Sequence, residues 1–342
     1  MKKVEIIIDK EFLKRFAFEI FDGSNEFHLE LKKIFRSCSP YKIITDFSSV
    51  EELIHEAENN NPFIHNLIDT GAPEIDFRPN LHKEIIQPEF YQKSSPIKLF
   101  FISENCDQIS KIFGFDYITP DNFNNKELQY HIRRENSIVK TTSNTIVEKE
   151  NRFTTWEILN KYKHPLSWIL IHDRYFLGTP DNIHLKNNIL PLLQNLILCS
   201  QSSHYVDIII VSRLTNHRKI KEFYNKIIRQ LEKNNTIKFK LTIVNKPPDK
   251  KDKHPRRIFT NYLRICADNS FDIYKESGIF KDELNDISFG FIFNAKELQH
   301  FTVELSEVLK YIDSITNRPQ IGYEEEKVFI YPEKVDIFNS ES

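Results

Sequence analysis

Six short apolar runs constrain this chain more than any other feature. They are VEIIID (4–9), YKIITD (41–46), IKLFFIS (97–103), SWILIHD (167–173), VDIIIVS (206–212) and IKFKLTIVN (237–245). Each is rich in Ile, Val, Leu or Phe, and helical periodicity fills much of the sequence between them. Near-continuous apolar strands are buried on both faces, which requires helices above and below a mostly parallel sheet. The predicted fold class is therefore α/β.

The runs fall into two blocks. The first holds helical patterns at FLKRFAFEIF (12–21), HLELKKIFRS (28–37) and SSVEELIHEAENN (48–60), the last with Ser48 as N-cap and Glu51 at the capping-box position. A short helix stopped by Gly114 and a strand DYIT (116–119) follow. The polar stretch 131–153 lacks a clear period. The second block carries a long amphipathic helix at 216–234, a strand RRIFTNYLRICA (256–267), a strand FGFIFN (289–294) and a closing helix. A length of 342 residues exceeds one average domain. The expected division is an α/β domain over 1–135, a linker or arm over 136–153 and a second α/β domain over 154–342.

Charge and cysteine usage narrow the class. A hydrophobic content of 40% with 13% aromatic residues suffices for packed cores. Cys38, Cys106, Cys199 and Cys266 are far apart, with no C-x-x-C spacing, so they read as buried free thiols of a reducing cytosol. The start MKKVEIIIDKEF turns acidic before an apolar leader could form, and no apolar run has the length of a membrane span. A cytoplasmic protein without membrane contact is expected. The net charge is only −2, yet residues 205–265 hold 16 Lys and Arg against 5 Asp and Glu, a local balance of +11. Such a window builds a field that favours polyanions, so nucleic acid, DNA or RNA, is the expected partner.

Within that window lies KHPRRIFTN (253–261), in which His254, Arg256 and Asn261 stand as H-x-R-x4-N. On a strand, His254 and Arg256 project to one side, so an imidazole can attack phosphorus while a guanidinium forks the non-bridging oxygens. This spacing resembles the H-x-K-x4-D signature of the phospholipase D superfamily of phosphodiesterases, with Arg for Lys and Asn for Asp. The resemblance covers about 155–310 and implies catalytic roles for His254, Arg256 and Asn261. It further implies phosphate contacts at Lys253, Arg257, Asn269, Ser270, His172 and Arg174, and no cofactor at this site. The family builds its active site from two motifs, so one motif here implies a homodimer. His172 is the within-chain alternative for the second half.

The first block places acids after successive strands. Asp9, Glu52, Glu104 and Asp107 are candidate ligands for Mg²⁺ or Mn²⁺, which activate water for phosphodiester cleavage. That order is similar to PIN-like nucleases, and the strand–helix alternation equally suits a Rossmann-like domain. Together the two blocks read as a nuclease or phosphodiesterase of the kind found among prokaryotic defence effectors. The alternative is a catalytically degenerate nucleic-acid-binding or scaffold subunit of a larger complex.

Overall fold

The protein is described by a computed structural model covering residues 4–19, 35, 41–59, 61, 64–65, 74–87, 89–90, 97–123, 137–141, 152–162, 166–177, 182–199, 205–213, 217–234, 238–246, 256–281, 285–292, 295–316 and 330–331. The fold is α/β, with two sheets.

The smaller sheet contains β1 (Val4–Ile8), β2 (Tyr41–Thr45), β3 (Glu74–Phe77) and β4 (Lys98–Phe101) in the order β3-β2-β1-β4. Every pairing in it is parallel. Helices α1 (Lys10–Glu19) and α2 (Val50–Glu58) follow β1 and β2. The order reverses at β1, and beyond the carboxyl ends of strands at such a point α/β sheets gather their ligands. The stretch expected as a strand at 116–119 contributes only one parallel bridge, Ile118 to Phe101. It follows α3 (Asp107–Phe113), which ends at Gly114 with φ 68° as the sequence predicts. Apart from Phe35, the expected helix at 28–37 lies outside the described residues.

The larger sheet runs β12-β8-β7-β6-β9-β10-β11-β5. Its parallel centre is β6 (Trp168–Asp173), β7 (Tyr205–Ser212) and β8 (Lys238–Asn245). An antiparallel arm of β9 (Arg256–Thr260), β10 (Leu263–Ala267) and β11 (Asn285–Phe291) extends it on one side. Its edges are β5 (Ser137–Thr141) and β12 (Ile330–Tyr331). Part of the stretch read as a linker or arm thus supplies an edge strand. The single strand expected over 256–267 is instead a hairpin. Thr260 Oγ1 accepts the amides of Tyr262 and Leu263 at 3.1 and 2.8 Å, and that hydroxyl makes the turn without glycine or proline.

Period-two alternation assigns each strand residue to a layer. Ile169, Ile171, Ile208, Ile210 and Ile258 join a core under α4 (Leu190–Cys199) and α5 (His217–Asn234). Leu170, Ile209, Val211 and Phe259 join a second core with α6 (Ala295–Thr316). That second core also takes Val4, Ile6, Ile8, Leu99 and Phe101 from the smaller sheet, so one apolar layer is common to both sheets. A polar seam accompanies it. Asn261 donates from Nδ2 to the Gly114 carbonyl at 2.6 Å and accepts the Ser167 amide at 3.2 Å. A Cβ at residue 114 would stand 2.3 Å from the Leu166 carbonyl carbon, so the close approach requires glycine.

Candidate phosphate-binding rim of the larger sheet

The carboxyl ends of β6, β7 and β8 end together, and the start of β9 lies beside them because Asp173 pairs with Arg256. One residue beyond each parallel strand stands a base: Arg174, Arg213 and Lys246. Their backbones stay in register, since Arg213 donates its amide to the Arg174 carbonyl at 3.1 Å and Lys246 donates to Ser212 at 3.0 Å. With strands ~4.8 Å apart, the three bases form a row, and at its β8 end the Lys246 ammonium turns to the α6 side of the sheet, 5.2 Å from the Tyr311 ring centroid.

Asp173 is the anchor of this rim. It is fully buried and accepts the amides of Tyr175 (2.8 Å) and Phe271 (3.1 Å) and the Ser270 hydroxyl (3.0 Å). Burial holds its carboxyl above the usual range, against the opposing pull of those donors and of the nearby Arg256 charge. Arg256 shares the α4/α5 side of the sheet with Asp173, as alternation from Ile258 requires. One end of its guanidinium donates to the Asp268 carbonyl. Its Nε–H is buried and has no acceptor among the described residues, a donor that an anion can satisfy. The Arg213 guanidinium has no hydrogen bond or ion pair among the described residues, and like-charged neighbours at that rim favour an anion between them.

Other residues predicted for the site separate. His254 and Lys253 lie outside the described residues. Asn261 sits in the turn at the far end of β9 from Arg256 and is occupied by the seam to Gly114 and Ser167. Arg257 projects to the opposite side of the sheet, where its Nε donates to Glu304 at 3.1 Å. Glu304 also takes a two-pronged contact from Arg264, both arms 2.7 Å, and Arg264 reaches Glu297 at 3.1 Å. These contacts overcome the burial of Glu304 and hold its carboxyl below the usual range. Arg257 therefore belongs to a buried-edge charge network with α6. His172, which is buried, pairs in register with Arg257 and shares that side, away from Arg256. The Ser270 hydroxyl is engaged by Asp173, while exposed Asn269 remains at the rim with its amide donated to Asn285 at 2.9 Å. Arg213 and Lys246 entered the sequence reading only as part of a charge count. Their position one step past a parallel strand is the signal that singles them out.

Behind the rim lies a second buried polar group. His184 directs Nε2 to the Phe176 carbonyl at 2.9 Å and Nδ1 to Asp272 at 3.1 Å. The ring thus lies between a carbonyl and a carboxylate, both of which accept hydrogen bonds. Burial opposes ionisation of Asp272, but His184 and Lys281 (2.5 Å) more than offset it and hold the carboxyl below its ordinary range.

The acidic candidates of the smaller sheet are engaged elsewhere. Asp9 accepts the Phe12 amide at 2.5 Å, so it caps α1, and it also accepts the Ser103 amide and hydroxyl at 2.7 and 3.0 Å. Burial nevertheless pushes its carboxyl up to about 6. Ser49 caps α2 by accepting the Glu52 amide at 3.3 Å, while the Glu52 carboxylate accepts the amide (2.7 Å) and hydroxyl (2.6 Å) of the preceding Ser48. The cap is thus Ser49, one residue later than the sequence expectation of Ser48 with Glu51. Asp107 accepts the Tyr117 hydroxyl at 2.7 Å, and Glu104 is exposed. Among the described residues no three His, Cys, Asp or Glu gather in a metal-holding group. Asp9, Glu52 and Asp107 already accept protein donors and are not gathered with Glu104 around one point, so the four do not fit a divalent ion as arranged, and no step below runs through one. Among the described residues no helix is long and apolar enough to cross a membrane. No protein-family model matches this chain, and no curated protein matches it.

Proposed function

We propose that this chain is a nucleic-acid-acting phosphodiesterase whose phosphate is held at the carboxyl rim of the larger sheet. The observation that carries the reading is the buried, unsatisfied Nε–H of Arg256, at the rim where Arg174, Arg213 and Lys246 follow the parallel strands. A guanidinium anchored at one end by Asp268 loses little freedom on clamping a phosphate. His254 lies two residues before Arg256 and would supply the nucleophile. Its imidazole nitrogen forms the P–N bond as the P–O bond to the leaving sugar breaks, and water then cleaves P–N to regenerate the ring. A symmetric partner's His254 would give the leaving oxygen its proton, since His172 lies on the other side of the sheet.

A second reading, a binding subunit without cleavage, is favoured by one observation. Asn261 and Arg257 both have structural tasks, which leaves only His254 and Arg256 of the motif for chemistry. Labelled single- and double-stranded DNA and RNA, incubated with the protein in Mn²⁺ or EDTA, separate the two. The expected result is EDTA-resistant cleavage that disappears in His254→Ala. Salt-sensitive binding lost in Arg256→Ala, with no cleavage under any condition, selects the second reading. Failure of any nucleic acid to bind overturns both.

A further inference from the structure

Resting on that reading of the rim, we propose that Tyr175 is a base-stacking platform and that the ligand is single-stranded nucleic acid. Tyr175 is 43% exposed, yet it stands on a rigid turn rather than a loose loop. Its amide is fixed to the buried Asp173 at 2.8 Å, and the Phe176 amide returns to the Asp173 carbonyl at 3.3 Å. The next residue, Leu177, donates its amide to the Ser212 hydroxyl at 2.9 Å, which ties the turn to β7. A backbone fixed this way has little freedom left to lose when the ring it carries stacks on a ligand.

The surroundings select the partner. The Arg174 guanidinium carbon lies 5.6 Å from the Tyr175 ring centroid, so charge and ring form one amphipathic surface. Arg213 is tied to the same turn through its amide and the Arg174 carbonyl. A phosphate on the basic row therefore places its own base within reach of the ring. Lipid headgroups and inorganic phosphate offer no aromatic face for Tyr175. In a duplex the base faces are hidden by their neighbours, whereas in a single strand they are open.

The test uses the full chain and three end-labelled probes of equal length: oligo(dT), the same strand built from abasic sites, and a duplex. Affinities are read by fluorescence anisotropy at one fixed salt concentration, and the single-strand arm is repeated with oligo(U). Oligo(dT) is expected to bind about tenfold more tightly than the abasic strand. Tyr175→Ala should erase that gap and Tyr175→Phe should keep it. Arg213→Glu should weaken all three probes alike, because it acts on phosphate. Equal affinity for oligo(dT) and the abasic strand, or a gap that survives Tyr175→Ala, overturns the stacking proposal while leaving the phosphate reading in place. Binding indifferent to Arg213→Glu, or absent for every probe, overturns the phosphate reading and the stacking proposal with it.

Discussion

The carboxyl rims of the two sheets share a position in their folds and differ in how their charges are used. In the smaller sheet, Asp9 and Glu52 are closed on amides and hydroxyls of Phe12, Ser103 and Ser48. In the larger sheet, Asp173 is closed in the same way, while Arg213 and one donor of Arg256 are not. The cause is the direction of the βα unit. A helix starting after a strand presents orphan N–H groups and positive potential, which capture a carboxylate and repel a cation. Acids at such an edge therefore tend to become caps, and bases remain available to solvent and ligands.

The seam between the two regions offers the largest effect. Gly114→Ala combines a left-handed backbone with a Cβ pressed 2.3 Å from the Leu166 backbone. Urea unfolding is expected to show a loss of at least about 3 kcal/mol. A loss below about 1 kcal/mol, the size of the backbone term alone, would mean that the sheets separate readily. The basic rim comes next. Arg256→Ala is expected to weaken oligonucleotide binding by about tenfold, whereas Arg257→Ala should change it less than about twofold and cost about 1 kcal/mol of stability. Equal effects on binding would show that the side of β9 is irrelevant. The smallest effect sharpens the acidic rim. The Asp9 carboxyl, followed by carbon NMR, should titrate near 6 rather than at its ordinary 3.8. The folded state holds this proton more tightly than the unfolded chain. Its contribution to stability is thus complete below the ordinary value and is lost as pH rises through about 6.

The strands were legible because unbroken Ile, Val and Leu runs have few alternatives to a doubly covered sheet. Finer choices were not. Ser48 and Ser49 are equally good caps, and Glu51 and Glu52 each stand three residues after one of them, so geometry alone selects the Ser49–Glu52 pair. The 256–267 hairpin has neither glycine nor proline, and its turn depends on the Thr260 hydroxyl. At the site, Arg256 and Arg257 are adjacent bases in sequence. Only the register of β9 sends one to Asp173 and the other to Glu304, which lies far along the chain.

The edge strand β5 also bears on how the molecule comes into being. Ser137 faces Phe289 across the sheet, a closure of about 150 residues, and α6 completes the apolar layer that both sheets share. During synthesis β5 lacks its partner β11 until residue 291 is made, and the shared layer lacks its helix until residue 316. Most of the chain must therefore leave the ribosome before the fold can close. Until then the isoleucine face of β1 lacks its cover, and pairings this distant in sequence are the kind that form slowly.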